Sequence, residues 1–347
     1  MHIASLIQWQ WGRGEGERLS NPIFGLGGSN LLQWAGNARQ PRYRGAMKSF
    51  KGFRRCASWL LLLAMTVGER LAAQTANAPG NAHPLWQVHG SSNSVYLLGS
   101  IHFAKEDFYP LAKPIEQAYQ RASTVVFEAN PGEMKSMETQ TKLLKAGMCP
   151  AGETLSERVS KETYAGLQSW LKNAVGVPSA LDQMKPWLAS VSVVALQLQK
   201  LGFNPNQGID EHYYSRAKTD KKEIRALETV EFQINLFANL SREEDELFLK
   251  SMLEETDRFP KIFADVIEAW KTGNAAKIEP LLLEIMKQYP AIYKKFLTDR
   301  NRVWLPKIEE LLRGEKIVFV VVGMAHLVGK DGVVESLKKK GFRVEQL

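Results

Sequence analysis

VYLLGSIH at residues 95–102 and FVVVGMAH at residues 319–326 share one arrangement, in which four strand-forming residues precede a glycine, two further residues and a histidine. Short apolar runs of this kind are typical of buried strands. A glycine at the end of such a strand permits a tight turn or a close backbone approach. In open α/β sheets, ligands bind in the crevice beyond the carboxyl ends of the strands. We therefore expect His102 and His326 to project into one crevice.

A carboxylate follows a third predicted strand. The run STVVFE at residues 123–128 has the β-branched, apolar character of a buried strand and ends at Glu128. Two imidazoles and a carboxylate suit a divalent transition metal such as zinc, manganese, cobalt or iron. The alternative is that Glu128 acts as general base to a water molecule. Spacing alone does not separate a ligand from a base, so both roles stay open.

The rest of the pattern places strands near both ends of the chain and helices between them. Leu85–His89 and Val95–Gly99 read as a hairpin around a Gly/Ser/Asn turn, and Lys316–Val322 and Phe342–Gln346 read as strands. Most of the sequence between Glu133 and Arg313 has helical character, apart from a short candidate strand at Glu223–Leu227. The predicted fold is α/β: a central mixed sheet from the two ends of the mature chain, flanked by helices, with a long helical insertion.

The leader of the chain has the pattern of a secretory signal. A basic cluster at residues 48–55 precedes the apolar run Cys56–Val67, and small residues follow at 72–78. An apolar run of this length fits a signal peptide and is short for a bilayer span. We expect a signal peptide at 47–73 and a periplasmic or secreted mature protein. An uncleaved anchor in the inner membrane is the alternative.

The signal sets the predicted domain boundaries. Residues 1–46 are expected to be a disordered tail or an extension upstream of the true start at Met47. Residues 74–84 are polar and small and are expected to be a flexible entry to a catalytic domain at 85–347. The mature part retains one cysteine, Cys149, so no internal disulfide is expected.

The charge of the chain does not indicate a nucleic-acid partner. The formal net charge is +8, but ten of the 45 basic residues and three of the 37 acidic ones fall within residues 1–73. This leaves 35 basic and 34 acidic residues in the mature part. Nucleic-acid binding needs a net basic footprint, so we predict no nucleic-acid partner.

Several motifs together resemble the TraB/GumN family, which includes the TIKI metalloproteases. The motifs are LLGSIH (97–102), VVFEAN (125–130), GID (208–210), LET (227–229), RN (300–301) and VVGMAHLVGKDGV (321–333). The resemblance implies an exported metal-dependent hydrolase, a peptidase above all, acting on a peptide or protein with manganese, cobalt or zinc. It points to His102, Glu128 and His326 as metal ligands and catalytic groups. Met324-Ala325 departs from the Ala-Gly often found before the second histidine.

Further polar residues lie in these motifs. Asp210 and Glu228 are candidates for orienting the histidines, and Arg300 for binding a substrate carboxylate or an oxyanion. Asn301 and Gln233 are further candidates for contacting the predicted metal ligands. Two other functions stay open: a protein that holds haem, a metal or a peptide without turnover, and a metal-independent esterase with histidine as general base. The sequence has no His-Glu-x-x-His and no Gly-x-Ser-x-Gly, so it is not an ordinary helix-based zinc protease or α/β-hydrolase.

Overall fold

The computed structural model describes residues 82–347, apart from the side chain of Ile285. The predicted extension at 1–46, the signal peptide at 47–73 and most of the entry segment lie outside these residues. Within residues 82–347, no helix combines the length and the apolar character needed to cross a bilayer.

Six strands form one mixed sheet. They are β1 (Leu85–His89), β2 (Ser94–Ser100), β3 (Thr124–Phe127), β4 (Glu223–Ala226), β5 (Val318–Gly323) and β6 (Val344–Gln346). The order across the sheet is β4-β3-β5-β2-β1-β6. β1 is antiparallel to both β2 and β6, whereas β2, β5, β3 and β4 run parallel. The predicted α/β fold is confirmed, and β4 adds an edge strand from within the helical stretch.

Thirteen α-helices lie between these strands along the described part of the chain. They are α1 (Lys113–Arg121), α2 (Pro131–Met134), α3 (Met137–Gly147), α4 (Lys161–Val175), α5 (Pro186–Lys200), α6 (Ile209–Thr219), α7 (Val230–Ala238), α8 (Arg242–Glu254), α9 (Phe259–Lys271), α10 (Ala275–Lys287), α11 (Pro290–Tyr293), α12 (Asp299–Arg313) and α13 (Val333–Lys339). Short 3-10 turns lie at Glu106–Phe108, Leu155–Glu157, Pro205–Gln207 and Met324–His326. A π-helical turn, Lys294–Thr298, leads directly into α12.

The central strands are apolar on both faces because helices cover both sides of a parallel sheet. All four residues of β3 are buried, as are the first five of β5. Their side chains share one core with Tyr213 of α6, Trp270 of α9 and Trp304 of α12. This packing fixes the helices that supply polar groups to the end of the sheet.

The helical insertion has apolar clusters of its own. In one, Trp187 of α5 packs against Phe237 of α7, with ring centroids 5.3 Å apart. In another, Leu167 of α4 meets Leu249 of α8. A capping box begins α8: the Ser241 side chain accepts from the Glu244 N–H, and the Glu244 carboxylate accepts from the Ser241 N–H.

The four parallel strands end at the same edge of the sheet, here called the carboxyl edge. His102 comes two residues after β2, Glu128 directly after β3, Glu228 two residues after β4, and His326 three residues after β5. Each parallel strand therefore delivers one ionisable side chain to this edge, which is where open α/β sheets bind ligands.

Candidate functional site at the carboxyl edge

The chain around His102 is fixed by the first turn of α6. The Ile209 N–H donates to the Ile101 carbonyl at 3.0 Å. Gly208 precedes Ile209, and a Cβ there would lie 2.4 Å from the His102 carbonyl oxygen. Only glycine permits this backbone approach. As a result, Asp210 Oδ1 lies 3.3 Å from His102 Nδ1.

Glu128 lies opposite His102 across the end of β5. Its Oε1 accepts a hydrogen bond from the Gly323 N–H at 2.7 Å. A Cβ on Gly323 would lie 3.0 Å from Glu128 Oε1, 3.7 Å from His326 Cδ2 and 3.9 Å from His102 Nε2. The missing side chain of Gly323 is therefore what lets the carboxylate and the two imidazoles converge.

Arg300 crosses the site from α12, and its neighbours use all of its donors. Its Nε donates to Glu228, and its Nη2 donates to Glu128 Oε2 at 2.6 Å and to Glu228. Its Nη1 donates to the Phe296 carbonyl at 3.2 Å and to His326 Nε2 at 3.0 Å. A guanidinium has five N–H groups, so none remains for a substrate in this arrangement. Arg300 here holds the site together, and its predicted contact with a substrate would need some of these bonds to break.

Asn301 fixes the tautomer of His326. The Asn301 amide nitrogen donates to the carbonyls of Asp331, at 2.9 Å, and of His326 itself, at 3.4 Å. Its oxygen therefore accepts, 2.7 Å from His326 Nδ1, and the ring proton lies on Nδ1. The Nε2 lone pair of His326 then accepts from Arg300. Burial and the neighbouring Arg300 charge lower the pKa of His326 to about 3, so this ring is neutral at physiological pH.

Glu228 is the second carboxylate that Arg300 binds. It also accepts from the Gln233 amide at 2.8 Å and from the Trp304 indole N–H at 2.9 Å. The Trp304 ring in turn packs against His326, with centroids 4.3 Å apart, and lies under the Arg300 guanidinium. Glu228 and Trp304 therefore form the buried side of the site, in contact with Arg300 and His326.

The charges around Glu128 keep it ionised. Burial alone would raise the pKa of Glu128, but the positive charge of Arg300, assisted by the two histidines, holds that pKa well below its usual range. A carboxylate with so low a proton affinity is a weak general base. The arrangement therefore suits Glu128 to accepting hydrogen bonds and stabilising a neighbouring cation, more than to removing a proton.

A small pocket opens between His102 and Glu128. Its volume is about 20 Å³, and about 10–15 Å³ is enough to hold one water molecule. Its polar wall consists of Ser100, His102, Glu128, Asp210 and Gln233, and its apolar wall of Phe127, Ala129, Pro131, Met134 and Val321. Met324, where the sequence departs from the family pattern, is not in this wall: it is buried against Gly99 instead.

Two of the three predicted metal ligands already make hydrogen bonds, so the three are not available together to bind one ion. Arg300 occupies the lone pair of His326 Nε2 and one oxygen of Glu128, whose other oxygen accepts from Gly323. A divalent ion bound by His102, Glu128 and His326 would also meet the guanidinium charge. Among residues 82–347, no group of three or more His, Cys, Asp or Glu side chains is placed to hold a metal. The residues as arranged do not fit the predicted three-ligand centre, and we derive no step through a metal.

The structure brings all eight residues singled out in the sequence to the carboxyl edge: His102, Glu128, Asp210, Glu228, Gln233, Arg300, Asn301 and His326. Their chemical roles stay predictions.

Sequence reasoning missed Trp304 and Ser100. Trp304 lies four residues after Arg300 on α12, and this spacing places two side chains on one helix face. The spacing could therefore have identified Trp304 as a neighbour of Arg300. Ser100 lies inside a quoted motif, but nothing in the sequence shows that its hydroxyl faces the pocket.

Comparisons with known proteins agree with the motifs. The profile of the TraB/PrgY/gumN family matches residues 84–346. An uncharacterised Escherichia coli protein, YbaP, is 26% identical over 261 residues, which is 75% of this chain and 89% of that protein. An uncharacterised Treponema pallidum protein is 22% identical, over 74% of this chain and 80% of its own length. The human protein named Metalloprotease TIKI1 is 21% identical, over 83% of this chain and 69% of its own length. No solved structure matches the chain.

Proposed function

Because the chain belongs to the TraB/PrgY/gumN family and pairs an imidazole with a carboxylate at the mouth of a water-sized pocket, we propose that it is a hydrolase that cleaves peptide bonds. The observation that carries the proposal is the position of His102. Its Nδ1 faces Asp210, whereas its Nε2 faces Gly323 and Glu128. A distant relative named as a metalloprotease supports peptide hydrolysis as the reaction class.

His102 is the general base of the proposed reaction. A ring proton on Nδ1, which lies 3.3 Å from Asp210 Oδ1, leaves the Nε2 lone pair free to accept a proton. As the water oxygen bonds to the substrate carbonyl carbon, its proton passes to His102 Nε2. The imidazolium then gives that proton to the leaving amine as the C–N bond breaks. The products are a carboxylic acid and an amine, and the base returns to its starting form.

The buried charges support this cycle. Asp210 stabilises the imidazolium through Nδ1, and the ionised Glu128 lies on the opposite side of the ring. Arg300 keeps Glu128 in place, and Glu128 Oε1 is held by the Gly323 N–H. Since these groups are fixed before substrate binds, little reorganisation is needed when the imidazolium charge develops.

The divalent metal expected from the sequence stays a prediction. The name of the human relative supports it, whereas the engagement of His326 and Glu128 by Arg300 does not. Elemental mass spectrometry after loading with manganese, cobalt and zinc tests it directly in the wild type and in His102→Ala and His326→Ala. One metal per chain in the wild type, lost in both variants, would establish the three-ligand centre and replace the scheme based on His102.

Export is the second part of the proposal. The basic cluster and apolar run of residues 48–67 support a signal peptide and a periplasmic or secreted peptidase. The substrate would then be a peptide or protein of that compartment. Intact-mass measurement on protein recovered after expression in a bacterium checks this: a mature chain starting near Gln74 or Pro79 supports export, and an exported chain retaining Met47 contradicts cleavage.

The test of hydrolysis is digestion of a peptide library in water enriched in oxygen-18, followed by mass spectrometry. Hydrolysis predicts new carboxyl termini that carry the label. Parallel digestions with a chelator and with p-nitrophenyl acetate separate the alternatives. Loss of cleavage on chelation, restored by metal, would favour the metal-dependent scheme. Hydrolysis of the ester alone would favour an esterase, and hydrolysis of neither would favour a protein that only binds its ligand.

A matched pair of variants on α6 tests the role of Asp210. Asp210→Asn removes the charge that orients His102, and we expect kcat to fall about tenfold or more. Asp220→Asn changes the other end of the same helix, where Asp220 accepts from the Tyr119 hydroxyl at 2.6 Å. Its kcat is expected to equal that of the wild type. Equal kcat values in the two variants would contradict the proposed pair of His102 and Asp210.

A further inference from the structure

Ser100 is a buried hydroxyl with no partner in the described part of the chain. The residue is 3% exposed, and its Oγ has no hydrogen bond within residues 82–347. A buried hydroxyl left unpaired costs about 1–3 kcal/mol. Such groups are rare in native proteins and often mark a bound water or a functional role. The structure therefore carries an energetic penalty at Ser100 that its fold alone does not explain.

The sheet register shows where this hydroxyl points. Ser100 is the Cα partner of Gly323 in the parallel pairing of β2 and β5. Partners in register present their side chains on the same face of a sheet. On that face, the position of a Cβ on Gly323 is 3.0 Å from Glu128 Oε1 and 3.9 Å from His102 Nε2. The Ser100 side chain thus faces the proposed base and the ionised carboxylate.

Ser100 also lines the pocket between these two groups. The pocket has room for one water, and a buried water typically needs two to four polar partners. Ser100 and His102 from the end of β2 and Glu128 from the end of β3 meet that requirement. Glu228, Arg300 and Asn301, by contrast, are all hydrogen-bonded within the cluster.

We propose that Ser100 is a catalytic residue that holds the attacking water through its hydroxyl, so that one water proton points to His102 Nε2 and an oxygen lone pair points to the substrate carbonyl. This inference rests on the proposed hydrolase function and adds a residue to it. The hydroxyl donates or accepts one hydrogen bond and is not consumed. The water oxygen forms the new C–O bond, and its proton passes to His102 as described above.

The proposal predicts opposite effects on rate and stability. Ser100→Ala removes a hydroxyl that makes no protein hydrogen bond, so the melting temperature should stay the same or rise. The same change should lower kcat about tenfold or more with KM unchanged, because the water and not the substrate loses its partner. A merely structural serine would show the reverse, with a lower melting temperature and an unchanged kcat.

Ser190 provides the matched control. It is fully buried on α5, outside the pocket, and its hydroxyl donates to the Pro186 carbonyl at 2.8 Å. Ser190→Ala is expected to leave kcat unchanged and to lower the melting temperature slightly. Measured together on one peptide from the library digestion, the two variants separate a catalytic hydroxyl from a buried structural one.

The experiment is kcat, KM and melting temperature for the full-length wild type, Ser100→Ala and Ser190→Ala, with quenched reactions analysed by mass spectrometry. A lower kcat in Ser100→Ala alone, at unchanged KM and undiminished melting temperature, supports the proposal. An active wild type with an unaffected Ser100→Ala overturns this inference and leaves the proposed function intact. An acyl group found on Ser100 also overturns it, because the serine would then be the nucleophile. An inactive wild type overturns the proposed function and this inference with it.

Discussion

Replacing Arg300 by methionine should destabilise the protein strongly at neutral pH. Arg300 is buried and bonds to Glu128 and Glu228, whose side chains are 13% and 5% exposed. Methionine keeps the unbranched apolar stem of arginine and lacks the guanidinium, so the charge and its hydrogen bonds are lost. Removing one partner of a buried ion pair costs about 3–5 kcal/mol, because the remaining charge stays buried and uncompensated. We expect a loss of this size for Arg300→Met.

The stability that Arg300→Met loses relative to the wild type should depend on pH. In the wild type, Arg300 helps to hold the pKa of Glu128 below its unfolded value. Glu128 therefore contributes stability above the unfolded glutamate pKa of about 4.3, and this contribution is lost as the pH falls. In the variant, the unpaired carboxylates are most costly when ionised. The difference between wild type and variant should thus be largest near pH 7 and shrink toward pH 4.

The assay is urea unfolding followed by tryptophan fluorescence at both pH values. Arg302→Met is the control, because Arg302 lies on the same helix but is 76% exposed and pairs with Asp299 at 3.3 Å. An exposed pair of this kind contributes about 0–1 kcal/mol. If Arg300→Met costs no more than Arg302→Met at pH 7, the buried network does not hold the site together as described.

Two further changes test the backbone of the site and the insertion. Gly323→Ala places a Cβ 3.0 Å from Glu128 Oε1, so we expect the variant to lose about 1–3 kcal/mol of stability and to have a lower kcat. The control is Gly166→Ala in α4, which should be neutral or stabilising because no atom lies nearer than 3.9 Å to the new Cβ. Equal melting temperatures and rates for the two variants would refute the close approach. Burial raises the pKa of Asp245 to about 6, so the folded protein loses stability as the pH rises from about 4 to 6. We expect Asp245→Asn to be up to about 3 kcal/mol more stable than the wild type at pH 7 and equally stable near pH 3.5. A variant that is less stable than the wild type at pH 7 would contradict this.

The sequence predicted the fold from local apolar patterns, and the strand ends together with the family motifs predicted which side chains reach the carboxyl edge. The apolar runs before Gly99 and Gly323 identify buried strands, and the parallel order of those strands brings His102 and His326 to one edge. The position of β4 was less evident, because its residues are mostly exposed and lack the apolar signal of the central strands. Helix caps such as Ser241 were recognisable for the same local reason.

The connections inside the site were not predictable, because they depend on side-chain directions across elements far apart in sequence. Arg300 was a candidate for binding a substrate carboxylate or an oxyanion, and the structure shows a buried cation that joins Glu128, Glu228 and His326. This arrangement is also why the predicted metal ligands are not free together. The unpaired hydroxyl of Ser100 likewise depends on the register of β2 and β5, which composition and spacing do not reveal.

The central claim is that His102 activates the water of a hydrolytic reaction, and kcat/KM for one cleaved peptide tests it most directly. The proteins to compare are the wild type, His102→Ala and His212→Ala, each checked for an unchanged melting temperature. His212 is the control, since it is a histidine of α6 stacked on Tyr109 outside the pocket. We predict a fall of about 10²- to 10⁴-fold for His102→Ala and none for His212→Ala. A His102→Ala protein that cleaves the peptide at the wild-type rate would contradict the account.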